Sequence, residues 1–170
     1  MEALRGLNRA RVDYLLIGLS AINHYAKDEH LVYFTADCDL LLRPTSRNLA
    51  RAIRAVVAAG YAAEAGGEPL GPVDELICRR IIERRGLVQA KSPGDMPIDL
   101  VLETGGGSFA DFRGRRRVFL DAGVRVPCMS LDDALNAKRV AGRPKDEAFL
   151  KLYEAAMRGE AKPPRRRRRV

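Results

Sequence analysis

Thr35-Ala36-Asp37-Cys38-Asp39-Leu40-Leu41-Leu42 sets two carboxylates two residues apart at the head of an apolar run. The run predicts a strand, and residues two apart on a strand leave the same face, so Asp37 and Asp39 are forced side by side. Like charges this close are costly, and the remedies are protonation of one or a bound cation. A D-x-D pair alone is also what a strand end at a protein surface carries, so the flanking sequence has to decide between the two.

Upstream, residues 12–17 are a short apolar run broken by Gly18 just before Ser20-Ala21-Ile22-Asn23-His24-Tyr25, which reads as strand, tight turn and helix. Downstream, Ser46 stands as a cap before Leu49, Ile53, Val56 and Val57 at helical spacing, and Gly60 is placed to end that helix. Gly66-Gly67, Pro69 and Gly71 predict a loop over residues 64–72. Residues 76–82 and 87–90 form short elements whose type the pattern leaves open. Pro97-Ile98-Asp99-Leu100-Val101-Leu102-Glu103 alternates as a strand and is closed by Gly105-Gly106-Gly107. Residues 115–120 and 124–126 predict a hairpin or two separate strands. Ser130 caps a helix through Val140, and Gly142-Arg143-Pro144 opens another from Lys145 to about Met157. Strands interspersed with helices, without strict alternation, predict an α/β or α+β fold: a mixed β-sheet packed with helices and ending in a helical segment over about residues 130–158.

Asp99 completes a trio with Asp37 and Asp39 if its strand neighbours theirs. Three carboxylates suit a hard ion such as Mg²⁺ or Mn²⁺, which takes its remaining ligands from water and substrate phosphates. Such a site bridges a nucleoside triphosphate, with Asp99 serving as general base or as the ligand nearest the attacking oxygen.

The chain has 170 residues, enough for one domain over residues 1–160, with 46% hydrophobic and 31% charged residues. Its net charge of +8 is unevenly spread. Lys162 and Arg165-Arg166-Arg167-Arg168-Arg169 hold six of the 30 basic side chains, leaving 24 against 22 acidic ones in residues 1–161. Residues 161–170, with Pro163-Pro164 ahead of the arginines, predict a disordered basic tail: either a plain solvated extension or an arm for phosphate backbones. Cys38, Cys78 and Cys128 are odd in number and widely spaced, which predicts free thiols and, with no apolar run of bilayer-spanning length, a cytoplasmic protein without membrane association. His24 and His30 have no metal-ligand spacing and read as surface or capping residues. Arg79-Arg80, Arg84-Arg85 and Arg113 with Arg115-Arg116-Arg117 are either solvated faces or, clustered, a track for RNA. Ser108 has no evident base, which argues against serine nucleophile chemistry.

Read in order, Tyr14-Leu15-Leu16-Ile17-Gly18-Leu19-Ser20-Ala21, then Thr35-Ala36-Asp37-Cys38-Asp39-Leu40-Leu41, then Ile98-Asp99-Leu100-Val101, then Ala137-Lys138-Arg139-Val140-Ala141-Gly142-Arg143-Pro144-Lys145-Asp146 form an ordered set across about residues 12–157. The set resembles the polymerase-β-type nucleotidyltransferase superfamily, in particular its small prokaryotic members related to minimal nucleotidyltransferases and AbiEii-like toxins. The resemblance implies a nucleotidyltransferase-like fold, with Asp37, Asp39 and Asp99 as catalytic and metal-binding residues. Gly18, Ser20, Lys138, Arg143 and Lys145 would then bind the nucleotide, Gly18 by permitting close backbone approach and the others by donating to phosphates. Basic residues near a helix end also favour its dipole, and Asp146 offers Arg143 an alternative partner.

The activity implied is Mg²⁺- or Mn²⁺-dependent transfer of a nucleoside monophosphate from an NTP to a hydroxyl on RNA or protein, and a partner protein of a toxin–antitoxin pair is implied with it. One departure stands out. Leu19 occupies a position where the superfamily usually carries a second small residue, and its bulk narrows the space for a triphosphate. The alternative function is therefore a non-catalytic nucleotide- or RNA-binding module on the same scaffold.

Overall fold

Leu15, Leu16, Leu40, Leu41 and Leu42 are all buried, the mark of strands covered on both faces. The computed structural model describes residues 1–28 and 31–159 and places these leucines at the centre of one sheet. In chain order the elements are α1 (Glu2–Arg9), β1 (Tyr14–Leu16), α2 (Gly18–Asn23), β2 (Cys38–Leu42), α3 (Ser46–Ala58), β3 (Ala62–Ala65), β4 (Glu68–Pro69), α4 (Glu75–Glu83), β5 (Val88–Lys91), β6 (Ile98–Val101), α5 (Phe109–Arg113), β7 (Arg117–Asp121), β8 (Val124–Cys128), α6 (Leu131–Ala141) and α7 (Pro144–Met157). The eight strands form one mixed sheet in the order β4-β3-β5-β6-β2-β1-β8-β7. Among the described residues seven helices cover it, and none is long and apolar enough to cross a membrane.

Period-two alternation divides the core. Tyr14, Leu16, Leu40, Leu42 and Leu100 point to one face, where Leu4 and Leu7 of α1, Leu49 and Ile53 of α3 and Cys78 of α4 pack. Leu15, Ile17 and Leu41 point to the other, against Ile22 of α2, Phe109 of α5, Leu135 of α6 and Phe149 of α7. Each such leucine taken fully out of water contributes about 2 kcal/mol. Asp39, two residues before Leu41, falls on this second face.

Several boundaries differ from the sequence expectation. Residues 64–72 are not a plain loop: β3 and β4 pair antiparallel across Gly66-Gly67, whose φ values of 61° and 84° suit a tight hairpin turn. The same glycines that mark a loop thus also close a hairpin. The cap of α3 is Thr45 rather than Ser46, because the extended Thr45 backbone lets its Oγ1 accept from Asn48 N at 3.3 Å. Helix α2 starts at Gly18, two residues before Ser20. The two open elements resolve as helix α4 and strand β5, and residues 117–128 as a hairpin closed by Ala122-Gly123. The short α1 carries Ala3, Leu4 and Leu7 on its buried side, and Gly6 lets it lie against α3, where an added Cβ would meet Ala55 O at 3.4 Å.

Asn48 joins α3 to the centre of the sheet. It is 1% exposed, accepts from Asp13 N at 2.8 Å, and donates to Asp13 O at 2.9 Å and Arg43 O at 3.1 Å. It therefore ties the start of β1 to the end of β2. Asn48→Ala strands these backbone groups in a dry site and is expected to lower unfolding stability by about 2–3 kcal/mol, read from urea denaturation with an unchanged slope.

Candidate functional site

Strands β2 and β6 run parallel and in register, so Asp39 lies directly beside Asp99. Asp37 stands one residue before β2 and shares the face of Asp39. Each of the three offers a carboxylate oxygen, and these oxygens lie within 4.8 Å of one another. Two of the three are oriented by neutral donors. Thr35 Oγ1 donates to Asp37 Oδ1 at 3.0 Å, and Gln89, opposite Asp99 on β5, donates through Nε2 to Asp99 Oδ1 at 3.2 Å. All three are partly buried. Burial, then the charges of Asp37 and Asp99, push the Asp39 carboxyl up to about 6, against the opposing pull of Lys138 and Lys145.

Gly18 explains how Asp39 fits. A Cβ on Gly18 would sit 2.6 Å from Asp39 Oδ2, and its φ of 66° already lies in the left-handed region. The chain turns here because no side chain is present to strike the carboxylate. The first N–H groups of α2 have no intrahelical acceptor and start beside the acidic trio.

The carboxylates, Gly18 and Leu19 line a cleft of about 670 Å³, together with Lys138, Arg143 and Lys145 from α6, α7 and their junction. Two of these cations are already engaged. The Asp146 carboxylate, almost wholly enclosed, accepts from Lys138 Nζ at 2.8 Å and from Arg143 Nε at 2.6 Å. Burial raises the Asp146 carboxyl, but hydrogen bonds from Lys138 and then Arg143, with their charges, outweigh it and hold the group below the usual range. Lys138 is itself buried, with Nζ 5.1 Å from the centre of the Phe149 ring. It braces α6 against α7, while Arg143 remains largely exposed at the cleft. Lys145 makes no ion pair among the described residues and is the free cation of the wall.

The cleft thus gathers Asp37, Asp39, Asp99, Gly18, Lys138, Arg143 and Lys145. Ser20 is not part of it: its hydroxyl donates to Asp37 O at 3.2 Å and holds the start of β2 against α2. Arg165 to Arg169 and His30 lie outside the described residues. His24 is the C-cap of α2 and packs on Phe119. None of Arg79, Arg80, Arg84, Arg85, Arg113, Arg115, Arg116 and Arg117 lines the cleft; Arg85 pairs with Glu103 and Arg115 with Asp133. The pairing of Asp146 with Arg143 is the alternative the sequence offers for that arginine. Sequence reasoning missed Thr35 and Gln89 as orienting groups, the bond from Lys138 to Asp146, and Phe34, which lines the cleft with 80% of its surface exposed. Gln89 had one readable signal, a polar residue between the apolar Val88 and Ala90.

No protein-family model matches the chain, and no curated protein matches it in sequence.

The donor set fits a hard divalent ion, since three oxygens converge and one of them is held reluctantly as an anion. For Asp39 a folded-state value of about 6, against 3.8 in the unfolded chain, means that the folded form binds more protons between those limits. Its negative charge therefore destabilises the fold at neutral pH, and the cost is relieved as pH falls through about 6. Asp39→Asn is expected to raise the thermal midpoint at pH 7.5 without divalent ions by about 3 °C, with the gain shrinking as pH falls through about 6 and gone only below about 3.8. In the unsubstituted protein, Mg²⁺ or Mn²⁺ should raise the midpoint at pH 7.5 and lose that effect as the buffer is taken below pH 6, because protons compete for the same oxygens.

Proposed function

We propose that the chain has a nucleotidyltransferase-like fold and transfers a nucleoside monophosphate from an NTP to a hydroxyl on RNA or protein. The observation that carries this reading is the meeting of three carboxylates with an opposed cationic wall across one cleft. Neither half is unusual alone. Together they match a substrate whose phosphates need a cation on one side and basic side chains on the other.

In this reading Asp37, Asp39 and Asp99 hold Mg²⁺ or Mn²⁺, which supplies charge neutralisation at the phosphates and at the departing pyrophosphate. Lys145 and the exposed part of Arg143 take phosphate oxygens, and Lys138 with Asp146 keeps them in position. Asp99, oriented by Gln89, accepts the proton of the attacking hydroxyl. The new bond forms from that oxygen to the α-phosphorus, and the bond to pyrophosphate breaks. Phe34 offers an exposed ring on which a base of the NTP or of an RNA acceptor stacks.

Free thiols at Cys38, Cys78 and Cys128 support a cytoplasmic setting. The resemblance to toxin–antitoxin members supports a partner protein, with this chain in either role. A second reading is favoured by Leu19, which stands on the cleft wall where a small residue would leave more room. In it the chain binds nucleotide or RNA without turnover.

The test is incubation with labelled NTPs, Mg²⁺ or Mn²⁺, and RNA or cell lysate. Incorporation is expected, and the Asp37→Ala/Asp39→Ala protein should lose it by on the order of 10²-fold or more. NTP binding without label transfer to any acceptor would favour the second reading. A chain ending at residue 161 should retain the label transfer chemistry but hold RNA more weakly, with a shallower salt dependence, if the arginines contact phosphates. Unchanged retention in a filter-binding assay would dismiss the arm.

A further inference from the structure

The two edges of the sheet are built differently. At one, β4 is two residues long and consists of a glutamate and a proline, the features that blunt an edge against pairing. At the other, β7 runs Arg117-Val118-Phe119-Leu120-Asp121 with no proline. It presents Val118 at 42% and Leu120 at 75% exposure beside a row of backbone groups that no neighbouring strand covers among the described residues. The edge is also pre-set. Arg5 Nη2 donates to Ala122 O at 3.0 Å and Asn8 Nδ2 to Arg125 O at 2.8 Å, so α1 holds the hairpin in shape before any partner arrives.

The sequence of β7 is complementary to itself. When the strand is laid antiparallel on a second copy with Phe119 facing Phe119, Arg117 falls opposite Asp121 at both ends, and Val118 falls opposite Leu120 on the other face. The Asp121 side chain is about half exposed, with His24 Nε2 beside it at 3.7 Å, and Arg117 lies over the Phe119 ring at 5.6 Å, so both end charges reach the edge. No like charges meet in that register. Arg116 comes opposite Ala122, and Arg115 is already forked onto Asp133 by bonds of 2.9 Å.

We propose that two copies of this chain pair through β7, antiparallel about a two-fold axis at Phe119, to make one continuous sheet. The pairing supplies the absent neighbour for the edge, covers Val118 and Leu120, and brings Arg117 to the partner's Asp121 twice by symmetry. It is independent of the chemistry of the acidic cleft, which lies on β2 and β6 in the middle of the sheet.

The charge pattern gives a test that a general loss of folding cannot imitate. In sedimentation equilibrium the full chain is expected to be a concentration-dependent dimer. Arg117→Asp and Asp121→Arg, each alone, place like charges opposite each other and should weaken dimerisation by about tenfold or more. An equimolar mixture of the two should dimerise again, because each supplies the charge the other lacks, and the double substitution in one chain should dimerise by itself. Leu120→Lys, at a largely exposed position, should be monomeric with an unchanged circular dichroism spectrum. A monomeric unsubstituted chain at all concentrations overturns the pairing and leaves the edge to a strand of another protein. A dimer insensitive to the single charge changes, or not restored by mixing them, overturns it equally.

Discussion

Asp39 beside Asp99 on adjacent parallel strands is the constraint around which the rest is arranged. Like charges at neighbouring positions of a sheet repel, and here both lie on a face that helices cover. The surroundings accommodate this in specific ways. Gly18 omits the side chain that would strike Asp39, Thr35 and Gln89 donate to the other two carboxylates, and the positive charges of Lys138 and Lys145 partly offset the repulsion at Asp39. The part of the repulsion that remains shows in the raised Asp39 carboxyl, and a bound cation would relieve it.

The wall opposite is organised by one buried carboxylate. Asp146 draws Lys138 from α6 and Arg143 from the junction onto itself, so two helices of modest apolar content meet at a fixed angle. Opposite charges serve two purposes within a few residues: Lys138 and Asp146 hold the wall together, and Lys145 beside them makes no ion pair among the described residues. Removing one member of such a buried pair is costlier than its net contribution suggests, because the other is left charged without a partner. The aromatic packing of Tyr33, Phe149 and Tyr153 backs the same helix from behind.

How much of this was legible in the sequence depended on the range of the interaction. The side-by-side placement of Asp37 and Asp39 follows from strand geometry alone, and the turn at Gly18 from its place between an apolar run and a helical pattern. The mixed sheet with covering helices was readable from the order of patterns. The register that sets Asp39 against Asp99 was not, because no local feature says which strands are neighbours. For the same reason Gln89 and the bond from Lys138 to Asp146, at the start of the next helix, passed unnoticed. Residues 64–72 were misread because Gly-Gly with a nearby proline is the same text for a loop and for a hairpin. Thr45 and Ser46 are adjacent hydroxyls, and only the extended backbone at Thr45 decides which one caps.

Strand β1 sits between β2, which follows it closely in the chain, and β8, which arrives more than a hundred residues later and joins it at Leu16 and Cys128. Met129 N then donates to Leu16 O at 2.9 Å, and the Tyr25 hydroxyl donates to Met129 O. The seam therefore closes only after the acidic trio has been made. A nascent or prematurely terminated chain that lacks this last hairpin already carries the whole acidic trio, yet leaves β1 as an open, apolar edge. Such an edge is prone to pairing with another strand, and the segment that covers it is followed directly by the helices of the cationic wall.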